Sequence, residues 1–367
     1  MLEEVESQLT RLTPGRDHCA IINVSETGSR LINELNYLAN YCVRVEQGHP
    51  KNVNGHVLFG NNSYGASLGR YSGFNTRPNI RNNYRLYRDH LSYDDYSKFS
   101  VYIPRSYSFI SSHNQRKVNQ QRKIPERDIL QYIDDIKQRI LRLKEENIYI
   151  GVLSLELLSS DRVLSVDQRF LLLLSVLLKN MNIYLVVDDI LSGIRCGEVF
   201  SYILFENFKP DFVVIGKAFL FGMIVAINKN KDKELLAGFY KFGGFPTCAI
   251  DSMVIRKTIE ILNVIKSRRL LNNVKRIGRG LEECLSNMCQ QYNEDSLSGQ
   301  IAIFGGVGCI WFTNLNVVSD AVPNPLFSEF GRLLPYITIS ENILPRILKS
   351  SGSLKDFYNY ELTNSAV

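Results

Sequence analysis

Two short apolar runs in this chain end in charge: Leu185-Val186-Val187 leads into Asp188-Asp189, and Phe212-Val213-Val214-Ile215-Gly216 leads into Lys217. Ligands of parallel α/β sheets bind at the carboxyl ends of the strands, so neighbouring strands would bring Asp188 and Lys217 to one crevice. A lysine there can be neutral part of the time and act as nucleophile and base. A carboxylate beside it can keep a pyridine nitrogen protonated, which makes pyridoxal phosphate (PLP) an electron sink. A third segment, Thr27-Gly28-Ser29, lies between an apolar run and a helix-like stretch. Amides at a helix N-terminus together with a hydroxyl make a phosphate cradle. Taken singly, each feature has a plain alternative: a solvated strand end for the lysine, a turn or helix cap for Asp-Asp, an N-cap for Thr-Gly-Ser. Together they point to a cofactor.

The elements that must position these residues follow from periodicity. Helical spacing covers residues 2–13, 30–47, 126–146 and 166–180, and the first ends at Thr13-Pro14-Gly15. Strands are expected at CAIINV (19–24), VLF (57–59), IGVLSLEL (150–157), IYLVVDD (183–189) and DFVVIGK (211–217). VFSYILFENF (199–208) reads as helical, and 246–291 as one long helical stretch kinked near Ser267. Beyond about 300, IAIFGG and CIWFTNL are β-like and a helix is expected near 341–350. Residues 60–125 are rich in Asn, Ser, Tyr and Arg with little periodicity and read as long loops. Strands alternating with helical crossovers give an α/β fold with a mostly parallel sheet flanked by helices. The expected division is a large PLP-binding domain over 1–262, with the N-terminal helix 2–13 and the loop-rich insert 60–125, and a smaller C-terminal α+β domain over 263–367.

Composition narrows the function classes. With 367 residues, 45% hydrophobic and 22% charged, the chain is an ordinary globular protein. The net charge of +6 is spread out; Arg116-Lys117 and Arg122-Lys123 sit in a polar stretch that reads as a solvated loop, so no nucleic-acid partner is expected. Seven cysteines and five histidines lack a metal-ligand rhythm, and no metal is expected. Free thiols suggest a reducing compartment, hence the cytoplasm. The acidic start MLEEVESQL is no signal peptide, and FLLLLSVLL (170–178) is too short to cross a bilayer.

The stretch VVDDILSGIRCGEVFSYILFENFKPDFVVIGKAF (186–219) is similar to the Asp-Glu-Val-x-x-Gly…Arg-x-Gly…Pro-Asp-x-x-x-x-x-Lys block of the class III, fold type I aminotransferases. It is one residue shorter before Arg195, and Pro210-Asp211 and Lys217 keep the family's spacing. Five further segments resemble family segments: INVSETGSRLINELNYLA the phosphate loop and its helix, VLFGNNSYGASLG the segment that places an aromatic ring over the cofactor, GVLSLELLSS the strand with an active-site Glu, FYKFGGFPTCA the segment that reaches the neighbouring subunit's phosphate, and GRLLPYITIS the segment with a carboxylate-binding Arg. The likeness runs patchily from about residue 2 to 350.

The resemblance implies that Lys217 forms the Schiff base and Asp188 partners the pyridine nitrogen. It assigns Thr27, Gly28 and Ser29 to the phosphate, Asp189, Tyr64 and Lys241 to the cofactor site, and Glu156 and Arg332 to substrate. It further implies a homodimer with Lys241 crossing to the partner's site, transfer of an amino group from a donor to an oxo acid, and no membrane partner. The Asp-Asp-Ile form leans to the diaminobutyrate type. Departures are Leu191 for the Gln that reaches the ring oxygen, Ser63 at the stacking position with Tyr64 beside it, Lys241 for a phosphate-contacting Thr, Arg30 for a Glu, and a start that lacks the family's N-terminal segment. They keep open another PLP reaction such as epimerisation, and a degenerate homologue that binds PLP or a partner without transamination.

Overall fold

The computed structural model describes residues 1–25, 28–60, 99–110, 118–120, 124–158, 164–229, 252–280, 299–304, 307–312 and 332–333. Its centre is a seven-stranded sheet of β1 (Cys19–Ser25), β2 (Gly55–Gly60), β3 (Ser100–Val101), β6 (Tyr149–Leu155), β8 (Tyr184–Asp188), β9 (Phe212–Ile215) and β10 (Gly222–Ile227), in the order β1-β10-β9-β8-β6-β2-β3. β10 alone runs against the others. The expected mostly parallel α/β sheet is present.

Side chains of a strand alternate between faces, and here both faces are apolar, as a parallel sheet requires. Leu153, Leu155, Leu185, Val187, Val213 and Ile215 belong to one core. Val152, Val186, Phe212 and Val214 belong to the other. The first core is closed by α1 (Leu2–Leu12), α3 (Glu126–Glu145), α4 (Gln168–Asn180) and α5 (Ser252–Ser267), through Leu9, Ile140, Phe170, Leu174 and Leu262. The second is covered, among the described residues, by α2 (Gly28–Tyr41), through Leu35, Leu38 and Ala39.

Helix α2 lies unusually close to the sheet. A Cβ on Gly55 would sit 2.1 Å from the Ala39 carbonyl oxygen, and one on Gly151 would sit 2.2 Å from the same atom. Only glycine on β2 and β6 admits that approach. α2 starts just past the carboxyl end of β1 and returns to the amino ends of β2 and β6, so its first turn stands at the carboxyl edge of the sheet.

β1 is an edge strand, and α1 supplies acceptors to its outward amides. Cys19 N–H donates to Thr10 Oγ1 (3.1 Å) and Ile21 N–H to Glu6 Oε1 (2.7 Å). That side-chain clasp covers an edge otherwise open to another strand. At the sheet's amino edge Asp17 accepts from Tyr202 Oη, Lys209 Nζ and Asn228 Nδ2, tying three connections together. Those bonds, Lys209 foremost, outweigh burial and hold its carboxyl below the usual range.

A second sheet joins β4 (Arg105–Ile110), β5 (Val118–Gln120), β7 (Leu164–Val166), β11 (Gly299–Phe304), β12 (Val307–Phe312) and β13 (Arg332–Leu333). β4 pairs with β11 in parallel and with β5 and β7 antiparallel. This sheet draws on residues both before and after 262. The segment expected to be loops therefore contributes β3, β4 and β5; Arg-Ser-Tyr-Ser-Phe-Ile at 105–110 has a two-residue period hidden in a polar composition.

Two other expectations change. Residues 199–208 contain only a short 3-10 turn, Ser201–Leu204, because Phe200 and Tyr202 are both buried and stack at 5.7 Å between centroids, a spacing no α-helix face provides. The apolar run at 222–227 is a strand, β10, beyond those expected from sequence. The break near Ser267 is present: α5 ends there, Arg269 has φ +51°, and helix resumes over 270–280. The helix expected near 341–350 lies outside the described residues.

Candidate active site

Three neighbouring parallel strands, β6, β8 and β9, end at the same edge of the sheet. Register pairs Leu155 with Val187 and Asp188 with Val214, so Glu156 and Asp188 stand side by side, just past β6 and at the last residue of β8. Alternation puts both on the face covered by α2, the face of Val152 and Val186. Both are buried, Glu156 6% and Asp188 5% exposed. Lys217 follows Ile215-Gly216 at the end of β9 and is exposed.

Burial pushes the Asp188 carboxyl well above the usual range, and the neighbouring Glu156 pushes it further. The Ile190 amide, which donates to Asp188 Oδ1 at 3.1 Å, and the Lys217 cation pull the other way but do not win. Buried beside a second acid, Asp188 favours its protonated form. A pyridine nitrogen would be a fitting partner for such a carboxyl, sharing its proton, and the exposed Lys217 amine stands within electrostatic reach of Asp188. On that chemistry the residues fit PLP. Gly28 and Ser29 open α2, so the free amides of its first turn are at the same edge and on the same face.

Lys217 itself has φ +48°, and Leu220, three residues on, has φ +69°. Left-handed backbone costs an L-residue roughly 1–2 kcal/mol, and such strain tends to sit at functional positions. The turn that carries it is closed by Phe219 N–H to Gly216 O (3.2 Å) and Leu220 N–H to Lys217 O (3.0 Å). From outside, Thr258 Oγ1 on α5 donates to Phe219 O at 2.7 Å.

Asp189 points to the opposite face and is spent on the loop that follows it. One of its oxygens accepts from Ser192 Oγ, the other from Ser201 N–H at 2.5 Å, and its own amide donates to Val214 O at 2.8 Å. Gly193 fits beneath it, where a Cβ would meet Asp189 O at 3.0 Å and Phe219 Cε2 at 3.7 Å. Asp189 thus braces the connection from β8. Burial raises its carboxyl too, against those hydrogen bonds. Leu191 offers its carbonyl to Arg195 Nη1 at 3.1 Å.

Of the residues singled out in sequence, the structure brings together Glu156, Asp188 and Lys217, with Gly28 and Ser29 at the same edge. Arg332 lies on β13, paired with Trp311 in the second sheet. Thr27, Ser63, Tyr64 and Lys241 lie outside the described residues. Sequence reasoning missed Thr258, although a hydroxyl on the buried stripe Ile255, Thr258, Leu262, Ile265 was a readable signal. It also missed Arg105, whose Nη2 donates to Glu156 O at 2.7 Å; nothing local marks that residue. Among the described residues no group of three or more His, Cys, Asp or Glu is placed to hold a metal, and no helix is long and apolar enough to cross a membrane.

Comparison with known proteins bears on the family and the fold. The family model described as Aminotransferase class-III matches residues 109–312. A solved structure described as a transaminase with L-ala shares the fold with a TM-score of 0.64 at 15% identity, covering 95% of this chain and 82% of its own. A lysine aminotransferase from M. tuberculosis gives 0.63 at 14%, covering 95% and 77%. The omega transaminase from Pseudomonas jessenii gives 0.59 at 16%, covering 84% of this chain, which spans 64% of its length. These identities carry likeness of fold alone. No curated protein matches the chain.

Proposed function

This chain belongs to the class III aminotransferase family, whose enzymes depend on PLP, and from that premise we propose that it moves an amino group from an amino donor to an oxo acid with Lys217 as the cofactor-bearing lysine. The observation that carries this reading is the cluster at the ends of β6, β8 and β9: a buried Asp188 with a raised carboxyl beside Glu156, within electrostatic reach of an amine on a strained turn.

When bound, PLP supplies an electron sink that stabilises negative charge on the substrate carbon. Asp188 holds the proton on the ring nitrogen, and the pairing restores it to a carboxylate. Gly28 and Ser29 present amides of the α2 N-terminus to the phosphate, with Thr27 beside them. Lys217 Nζ holds the cofactor covalently at rest. With its amine released, Lys217 Nζ would serve as the base and acid that moves the substrate-carbon proton during the transfer. Its turn, closed by its own hydrogen bonds and held from α5, would limit where that amine can go.

The remaining assignments extend the same reading. Tyr64 would stack on the cofactor ring, Glu156 and Arg332 would meet the substrate, and Lys241 would serve the phosphate of a second copy in a homodimer as a point charge. The Asp188-Asp189-Ile190 form supports a donor of the diaminobutyrate type, and a reducing cytoplasm suits the buried free Cys19, Cys42 and Cys196.

The test is spectroscopic. Protein purified with PLP should show the visible absorption of a lysine-bound cofactor and lose it in Lys217→Ala. The band should change when 2,4-diaminobutyrate or another amino acid is added, and recover with an oxo acid. A band that no amino donor changes would instead indicate a homologue that binds PLP without transamination.

A further inference from the structure

We propose that Thr258 is a positioning residue for Lys217: its buried hydroxyl clamps the strained turn that aims the lysine amine. This rests on Lys217 being the cofactor-bearing lysine.

Lys217 and Leu220 both occupy left-handed backbone within one turn, with φ +48° and +69°. Leu220 is half-exposed, at 49%, so burial of its side chain does little to offset the conformation. Two short-range hydrogen bonds close the turn, Phe219 N–H to Gly216 O and Leu220 N–H to Lys217 O. A free chain with only those bonds would relax towards right-handed backbone. What holds it lies in the neighbouring element. Phe219 is fully buried against the loop at Gly193, and its carbonyl receives Thr258 Oγ1 at 2.7 Å. Thr258 is itself fully buried on α5.

The hydroxyl has one proton and two carbonyls within reach: Phe219 O, and Val254 O one turn back at 3.0 Å. Val254 O has its ordinary helical role without Thr258. The Phe219 carbonyl meets α5 in a buried contact, where loss of its Thr258 donor removes a buried hydrogen bond. The cheapest response is for the peptide after Phe219 to rotate. Rotation there passes directly to Leu220 and, through the turn's hydrogen bond, to Lys217. Thr258 therefore acts on the chemistry through backbone geometry without touching the cofactor.

The experiment uses PLP-loaded wild type, Thr258→Val and Thr258→Ser. Two quantities are read: the pH midpoint of the visible band of lysine-bound PLP, and the rate at which methoxyamine displaces Lys217. Valine keeps the shape and removes the hydroxyl, so the midpoint should move and the displacement rate should change about tenfold. Serine should restore both. In a Leu220→Gly background, where glycine accepts φ +69° without strain, the effect of Thr258→Val should shrink. Should Thr258→Val fail to fold, Thr258→Ala carries the same comparison.

A Thr258→Val protein with lowered thermal stability but an unchanged midpoint and displacement rate would make Thr258 a packing residue and overturn the proposal. So would a Thr258→Ser protein as impaired as the valine variant. A wild type without any PLP band overturns the reading of Lys217 itself, a result distinct from an intact band indifferent to position 258.

Discussion

Gly151→Ala tests whether the α2–sheet contact positions the cofactor cradle. The added Cβ would lie 2.2 Å from Ala39 O and 2.8 Å from the Ala39 carbonyl carbon and Cα. A carbon needs about 3.3 Å from a carbonyl oxygen, so helix and strand must part by about 1 Å. Both sides of the clash are backbone, and no side chain can swing away. The same carbonyl is pressed against Gly55 on the next strand, so α2 cannot slide sideways without a second clash. It has to lift, loosening Leu35, Leu38 and Ala39 from Val57, Val152 and Val186. Overpacking of this kind costs about 1–3 kcal/mol, and more where backbone resists.

The lift is transmitted along a rigid helix to Gly28 and Ser29 at its start. A displacement of about 1 Å at a positioning element can lower turnover about 100-fold. Urea denaturation should show a lower midpoint at an unchanged slope. PLP titration should show weakened binding, and transamination should fall out of proportion to stability. A Gly151→Ala protein with wild-type midpoint and PLP affinity would refute the close packing of α2 and its role in placing the phosphate.

Other perturbations have definite signs. Burial raises Asp188, so the folded PLP-free protein keeps a proton where the unfolded chain has released it, and stability declines as pH rises above the usual carboxylate range. Asp188→Asn should flatten that decline and raise the neutral-pH denaturation midpoint of the PLP-free protein, while lowering transamination at least about 100-fold. Asp17 is the opposite case: its carboxyl is lowered, so its stabilisation is present above the usual carboxylate range and lost as pH falls through its folded value. Asp17→Ala should cost roughly 1–3 kcal/mol at neutral pH by leaving Tyr202 Oη and its neighbours without their acceptor, and should shrink the acid limb of the stability profile without altering the PLP spectrum.

Much of the site was legible because strand ends are legible. A pure apolar run that stops at Asp188 or Lys217 marks both the strand and the edge where it opens, and register then fixes which ends are neighbours. Asp188 and Lys217 come together on that logic, whereas Glu156 enters only through the family resemblance. Face was harder: Asp188 and Asp189 are adjacent in sequence but alternate in space, so one meets the crevice and the other braces the loop through Ser192 and Ser201. Long-range packing was not readable at all. The Phe200–Tyr202 pair looks helical by composition, yet Tyr202 is drawn to Asp17, and the pairing of 105–110 with 299–304 joins segments far apart in the chain. The left-handed backbone at Lys217 had no signature either, because glycine is the residue that normally announces it.

The central claim is that Lys217 carries PLP and that Asp188 holds its ring nitrogen. The direct measurement is the visible spectrum of the purified, PLP-loaded protein beside Lys217→Ala and Asp188→Asn, before and after borohydride reduction and peptide mapping. Wild type should show a band, Lys217→Ala should lose it, Asp188→Asn should alter its pH response, and reduction should leave a PLP adduct on Lys217 alone. An adduct on another lysine, or a band that survives Lys217→Ala unchanged, would contradict it.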